Sequence, residues 1–445
     1  MKKNILFALF IFLNLNLILN FASCSTTDPK LEPDLKLELK DVSCTEAWLQ
    51  LTTNNIQLPA TITLLKNNSV AQTFSLSTQD SLLYIDSLLP NQNYYFQVSS
   101  IQHQVSSIKQ QVTTMDTTSH NFTWQTFTFG EHQHSVLYDV AVIDENNIWA
   151  VGEIYMNDSL GYPDPNAYNA IHWNGSEWEL KKIAVTYNGN ETIAPLKGIF
   201  VLQTGEIIFS SGLPYLPQGN SWKLYHLRDM GVLDQNDGSV ERIWGTSMNN
   251  LYFLGYKGTI VHYQNGIWTK IESGLSIDFW GIWGNSDVST IWACGYTDDY
   301  ANSALIRIKD GVVEKIFEGL SNSQNNGYYV GPMSGVWSDN NYRVFLMNWE
   351  GVYLQQNNNQ LFLEKEIAGF SDVGLGIDGT LHNNLFVCGQ RLIGHWNGYT
   401  YKEYPELILQ QRTFKSVKTN ANTVCAVGRD YNSPIYSNAV IVLGK

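Results

Sequence analysis

Ile148-Trp149-Ala150-Val151-Gly152 returns along the chain as Leu251-Tyr252-Phe253-Leu254-Gly255, Ile291-Trp292-Ala293-Cys294-Gly295, Leu385-Phe386-Val387-Cys388-Gly389 and Val424-Cys425-Ala426-Val427-Gly428. Two weaker copies stand between them, Ile207-Ile208-Phe209-Ser210-Ser211-Gly212 and Val344-Phe345-Leu346-Met347-Asn348. Each is a short apolar run rich in β-branched and aromatic residues, which reads as a buried strand. An apolar strand and a turn precede each copy. In most repeats a third strand follows, ending in Asn-Gly or Asp-Gly before an aromatic fourth strand. Ile171-His172-Trp173-Asn174-Gly175 before Trp178, Val261-His262-Tyr263-Gln264-Asn265-Gly266 before Trp268, and His395-Trp396-Asn397-Gly398 before Tyr399 show this second half. Asn-Gly supplies the positive φ angles of a tight hairpin, so the four strands are antiparallel. Such units, recurring at this spacing, imply an all-β ring of stacked sheets, a β-propeller.

The repeats run over 137–185, 196–231, 240–274, 279–319, 333–369, 373–406 and 414–445. The last contains three strands and then the chain ends at Lys445. An unassigned stretch before the first repeat, Asn121-Phe122-Thr123-Trp124-Gln125-Thr126-Phe127-Thr128-Phe129, has the aromatic start and alternation of a fourth strand. The expectation is a seven-bladed propeller over residues 120–445, closed by strand 124–129, with six or eight blades as the neighbouring counts. Closure removes the open sheet edge.

The chain begins Met1-Lys2-Lys3, then an apolar stretch from Ile5 to Leu19, then Phe21-Ala22-Ser23-Cys24. A positive start, a short apolar segment and small residues before a cleavage point make residues 1–23 a secretory signal. Phe21-Ala22-Ser23-Cys24 resembles the lipobox of bacterial lipoproteins, which implies cleavage before Cys24 and acylation of its thiol. Residues 24–34 form a polar, proline-containing tether. Its acidic residues just after the cysteine resemble the surface-export signal of Bacteroidetes-type lipoproteins. The expected address is the outer membrane or cell surface, lipid-anchored, with a periplasm-facing position as the other option. Cleavage would remove Lys2 and Lys3, taking the net charge from −14 to −16. A chain this acidic is repelled by nucleic acid, so the expected partners are the membrane, through the lipid, and a glycan or protein ligand.

Residues 35–116 show strands with mostly alternate-residue patterning and no helical period, such as Leu35-Leu37-Leu39 and Tyr94-Phe96-Val98. They read as a small β-sandwich. Leu88-Leu89-Pro90-Asn91-Gln92-Asn93-Tyr94 resembles the corner between the fifth and sixth strands of a fibronectin type III domain, with Tyr94 as the corner tyrosine. The repeats from 137 onward, with Asn147-Ile148-Trp149-Ala150-Val151-Gly152 and His172-Trp173-Asn174-Gly175, resemble propellers of bacterial surface lipoproteins. They are similar also to the photosystem II assembly factor and BNR-like propeller group. Such resemblance concerns a scaffold and does not carry function.

The sequence lacks a sialidase-type Asp box, Gly-x-Ser-x-Gly, a P-loop and His-Glu-x-x-His, and no cofactor or metal site is expected. The four cysteines after Cys24, at 44, 294, 388 and 425, form no close pair and read as buried free thiols. What varies between repeats is loop length. Residues 153–169 hold Tyr155, Asp158, Tyr162, Asp164 and Tyr168, and 213–220 hold Tyr215. Residues 296–303 hold Tyr296, Asp298, Asp299 and Tyr300, and 429–437 hold Arg429, Asp430, Tyr431 and Tyr436. Connections between repeats add Tyr328 and Tyr329. In a propeller the loops after the second and fourth strands share one face, and tyrosine suits sugar or protein recognition there. The expectation is a non-catalytic binding module using that face. The alternative is a carbohydrate-active hydrolase or lyase with carboxylates near the axis, for which Asp139, Glu241 and Asp278 are in the right part of the repeat.

Overall fold

The computed structural model describes residues 32–445 apart from 285–289, 340–342, 357–359, 409–410 and 432–434. The signal segment, Cys24 and most of the 24–34 tether lie outside the described residues. The described chain is all-β, with single 3-10 turns at Tyr256–Gly258 and Pro405–Leu407 and no α-helix. No described helix is long and apolar enough to cross a membrane. The chain divides into two compact units, a smaller one ending at Thr113 and a larger one holding Thr114–Lys445.

The smaller unit contains two sheets. Asp34–Val42, Ala47–Asn54 and Asp80–Ile85 form one. The other orders Ser69–Leu76, Ala60–Lys66, Asn93–Ser100 and Val105–Ser106, with Gln110–Thr113 also paired to Asn93–Ser100. Alternation decides which side chains are buried: Leu35 and Leu37 on one strand, Ile62 and Leu64, and Phe96 and Val98, with polar residues between them. Trp48 is buried and packs on Tyr84 with ring centroids 5.2 Å apart.

In the larger unit the described residues form seven four-stranded antiparallel sheets. The first strands are Val136–Asp144, Gly198–Val201, Val240–Ser247, Asp278–Gly284, Met333–Trp337, Gly374–Leu381 and Arg412–Asn420. Each lies against the first strand of the next sheet, and Arg412–Asn420 lies against Val136–Asp144. Six sheets take four consecutive strands. The seventh takes Arg412–Asn420, Thr423–Asp430 and Asn438–Gly444 and is completed by Trp124–Phe129, in register from Trp124 opposite Gly444 to Phe129 opposite Ala439.

The core is a series of apolar layers between neighbouring sheets. Cys425, Val427, Ile441 and Leu443 of the seventh sheet pack with Leu137, Ile148, Ile171 and Trp173 of the first. Phe127 of the completing strand sits between them, 6.0 Å from both Trp173 and Trp178. Cys294, Cys388 and Cys425 are free and fully inside, where burial pushes their thiols up in pKa and leaves them as small apolar groups.

The Asn-Gly turns are of two kinds. Asn265 and Gly266, at φ 50 and 88, make a two-residue turn between Gln264 and Ile267. Asn174 and Asn397 instead open four-residue turns, their side-chain oxygens accepting from the backbone N–H groups two and three residues on. The second sheet departs from the sequence expectation. Residues 213–220 are not a long loop, because Pro214–Gln218 is a strand joined to Ile207–Ser210 by Ser211–Leu213 alone. Pro214, Pro217 and Gly219 masked it in the sequence. Pairing with the preceding strand covers only Tyr215 and Pro214, so the missing N–H of Pro217 interrupts no ladder on that side.

Candidate functional site

The repeated glycine and the centre of the larger unit are linked by one local device. In six of the seven first strands the register slips by one residue, between Leu137 and Asp139, Val240 and Arg242, Phe279 and Gly281, Met333 and Gly335, Gly374 and Gly376, and Phe414 and Ser416. Each slip is a β-bulge, which leaves one residue unpaired and re-aims its side chain. Opposite the residue before the bulge stands the motif glycine: Gly152, Gly255, Gly295, Gly389 or Gly428. A Cβ on any of these would land on a carbonyl oxygen in the first strand or just before it, that of Val136, Ser239, Asp278, Val373 or Thr413. Glycine is therefore demanded by backbone contact. In the fifth sheet Asn348 takes this place, and its amide donates to the carbonyls of Tyr329 and Val330.

The bulged residues are Tyr138, Glu241, Trp280, Ser334, Leu375 and Lys415; in the second sheet Lys197, just before Gly198, takes the corresponding position. All seven line one cavity of about 210 Å³. Arg242, Tyr256 and Tyr296 complete its wall. A narrower cavity of about 100 Å³ is lined by the next residues of the same strands, including Asp139, Gly281, Gly335, Gly376 and Ser416. Asp139 is occupied there, accepting from Ser416 Oγ at 2.7 Å and from the Ile199 N–H at 3.1 Å.

The wall carries more positive than negative groups. Lys197 Nζ lies 3.4 Å from the centroid of the Tyr138 ring. Arg242 stacks over Trp280 at 5.5 Å and uses its Nε to donate to the Trp280 carbonyl at 3.0 Å. Neither these two cations nor Lys415 has a carboxylate partner among the described residues. Burial, with Arg429 and Arg242 nearby, pulls the Lys415 ammonium below the usual lysine range; burial does the same to Lys197, opposed by Glu153 and Glu241. Lys418, three residues deeper, contrasts with them because it is paired with Asp378 at 3.2 Å.

Hydroxyls and carboxylates fill the rest. Glu153 accepts from the hydroxyls of Tyr138 at 2.7 Å and Tyr155 at 3.2 Å, and Glu241 accepts from Tyr256 at 3.2 Å. These bonds and burial hold the Tyr138 and Tyr256 phenols protonated. Among the described residues the hydroxyl of Ser334, 2% exposed, has no partner, and the Trp280 indole N–H likewise has none. Asp278 is pushed up to about 6, chiefly by burial, with Asp298 and Glu241 adding to it and the Lys257 N–H opposing. Among the described residues no group of three His, Cys, Asp or Glu is placed to hold a metal ion.

The residues expected from loop length are only partly gathered here. Tyr296 lines the cavity; it packs with Tyr300 and Trp349 at 5.7 Å each. Tyr155 reaches it through Glu153, and Arg429 through its charge. Tyr162 and Tyr431 are exposed at 67% and 42%, and Arg429 lies against the Tyr431 ring at 5.6 Å. Tyr168 holds Lys182 over its ring at 4.6 Å, beside the Lys182 to Asp164 ion pair of 2.7 Å. Tyr328 and Tyr329 form a small hairpin with Gln324–Asn325, where Tyr328 packs on Tyr353 at 5.5 Å. Tyr436 is half-buried and does not line the cavity. Asp298 sits beside Asp278, while Asp299 accepts from Thr297 and caps its own turn.

Two of the expected ligand residues do not face solvent. Tyr215 is 1% exposed in the strand Pro214–Gln218 and belongs to the layer between the first two sheets, since the loop expected around it does not exist. Asp430 is 5% exposed and accepts from Arg412 Nε at 2.8 Å, a buried ion pair that joins two strands of the seventh sheet. The residues that sequence reading missed are Tyr138, Lys197, Arg242, Tyr256, Trp280, Ser334 and Lys415. Aligning the seven repeats on the motif glycine gives a signal: the column that becomes the bulge holds no shared residue type.

No protein-family model matches this chain, and no curated protein matches it. Among solved structures the chain is similar to the WD40 β-propeller domain of Doa1, at 11% identity over 73% of this chain and 97% of that one, with a TM-score of 0.51. It is similar also to YCF48 bound to D1 peptide, at 10% identity over 72% and 96%, TM-score 0.45. A third likeness is to the extracellular domain of the one-component system BT4673 of B. thetaiotaomicron, at 12% identity, covering 92% of this chain and 52% of that one, TM-score 0.45. At these identities the likeness concerns the fold alone: the larger unit is an all-β propeller-type structure.

Proposed function

We propose that this chain is an exported, lipid-anchored protein whose fibronectin type III-like sandwich accompanies a seven-bladed propeller, and that the propeller is a non-catalytic binding module for a glycan or protein. The observation that carries the reading is the contrast between scaffold and bulge. Glycine and apolar residues recur at equivalent scaffold positions, whereas seven equivalent positions that line one cavity hold Tyr, Lys, Glu, Trp, Ser, Leu and Lys. A ring held only for packing has no need of that variety, and a concave site with aromatic walls and a few polar groups is the usual form of a ligand pocket. At about 210 Å³ the cavity is smaller than the roughly 300–1,000 Å³ that encloses a drug-sized ligand, so it suits one terminal residue of a larger ligand. The test is a glycan and peptide array probed with the full chain. Binding without product formation, lost with Trp280→Ala, is the expected result, and no binding to either array would overturn it.

The hydrolase alternative draws support from one pair, Asp278 and Asp298. A carboxyl raised to about 6 beside a second carboxylate keeps its proton into mildly acidic pH, as a general acid must. Turnover of an array glycan, abolished by Asp278→Asn with binding retained, would establish this reading in place of the first.

A further inference from the structure

The walls of the cavity state which ligand it is built for. We propose that the mouth of the propeller axis binds the carboxylate of an acidic sugar residue, with Lys415, Arg242 and Lys197 as the anion-binding groups and the faces of the neighbouring aromatic rings as the sugar platform. The inference rests on the binding-module reading and adds the chemical class of the ligand.

Three observations converge. First, the chain carries a net charge of −14, yet three cations and one carboxylate, Glu241, line this cavity. Lys197 and Lys415 have no carboxylate partner among the described residues, and Arg242 engages only a backbone carbonyl through one nitrogen. A partly buried cation left without a counter-ion costs stability, so a site that keeps three of them is poised for an anion. Second, two bulge positions carry unpartnered polar atoms: among the described residues neither the Ser334 hydroxyl, nine-tenths buried and able to donate or accept, nor the Trp280 indole N–H, a donor, has a partner. The carboxylates present are already accepting, Glu153 from two tyrosines and Glu241 from one. Acceptors on a ligand suit this wall of cations better than donors. Third, apart from Leu375 the rest of the wall is aromatic: Trp280 is stacked on Tyr296 at 5.6 Å, Tyr256 meets its ring edge-on at 6.0 Å, and Tyr138 lines the same cavity. Flat rings with hydroxyls hold the apolar face of a pyranose while donors and cations take its oxygens.

An acidic saccharide satisfies all three at once, since a uronate-type residue presents an apolar ring face, several hydroxyls and one carboxylate within a single small unit. A free inorganic anion would leave the aromatic platform unused. An acidic peptide would bring a carboxylate but no apolar ring face for the aromatic wall, and a cavity of about 210 Å³ holds little of its backbone.

The experiment is calorimetric titration of the full chain, in detergent and low salt, with a galacturonate oligosaccharide and a neutral galactose oligosaccharide of equal length. The acidic ligand should bind at least about tenfold more tightly, because each charge-assisted contact contributes on the order of a tenfold factor. Lys415→Met and Arg242→Gln should each weaken the acidic ligand by about tenfold, and by more than they weaken the neutral one. Lys415 has no carboxylate partner among the described residues, so the melting temperature of Lys415→Met should not fall. The comparison of the two sugars on the unaltered chain depends on no variant. Equal binding of both sugars would overturn the anion assignment and leave the binding module standing. Inorganic sulfate competing as well as monomeric galacturonate would overturn the sugar platform. An acidic peptide bound with the same dependence on Lys415 would overturn the saccharide class. Binding of neither sugar, with no other array ligand, would remove the underlying reading itself.

Discussion

At residue scale, the motif glycines are fixed by their neighbours. Gly255 lies where a methyl would meet the carbonyl oxygen of Ser239 and the Cα of Val240, and both belong to the backbone of the strand that carries the Glu241 bulge. Gly255→Ala should therefore destabilise the larger unit by about 1–3 kcal/mol, the range for overpacking, and also disturb the cavity wall. Urea unfolding measures the first and ligand titration the second. An unchanged midpoint would mean that the first strand has room to shift. The glycine itself is plain in the sequence as the end of an apolar run. That it guards a bulge is not, because Leu137-Tyr138-Asp139-Val140 breaks the alternation by one residue, as a turn or a strand end also does.

At the scale of elements, the seventh sheet depends on a segment drawn from before the first. That segment also carries a titrating device. His120 and His395 face each other with Nδ1 atoms 2.9 Å apart, one donating and one accepting, and Phe122 and Trp124 pack alongside. Burial, then the His120 and Lys402 charges, push His395 down to about 3. A histidine depressed in the folded state contributes stability above its unfolded pKa of about 6.5, and loses it as pH falls from there toward 3. Between pH 6 and 5 the unfolding free energy should fall by up to about 1.4 kcal/mol from this group. His395→Gln should flatten that slope, measured by denaturant unfolding at a series of pH values; a slope unchanged by the substitution would sink the assignment. The fourth-strand character of Trp124 to Phe129 could be read from its aromatic alternation, and the pairing to Asn438–Gly444 is what the structure contains. The second sheet shows the opposite case. Its prolines concealed a strand, because whether a missing N–H matters depends on which side of the strand is paired.

At the scale of the whole molecule, the proposed lipid anchor has a direct test. The chain should incorporate labelled palmitate and sediment with membranes, and Cys24→Ser should release it to the soluble fraction. A single acyl chain binds membranes only marginally, at an association constant of roughly 10⁴ M⁻¹, so stable sedimentation requires more than one. A Cys24→Ser protein that still sediments would show that something other than this thiol holds it. The repeated sheets and the all-β class follow from patterns local in the sequence, a period and an alternation, and the proposed export rests on a leader-like start. The loops after the second strands were legible as departures from the repeat, and Tyr296 was found that way. The cavity was not legible. Its seven defining residues stand 39 to 59 positions apart and have no one type in common, so only their variability at one place in the repeat marks them, and that says nothing of a cavity. Strand sequence by itself determined that the chain forms repeated sheets, because burial and turn chemistry act over a few residues. Only the tertiary structure decided which side chains meet at the centre, because that depends on six bulges turning the first strands inward and on a ring that brings the last sheet against the first.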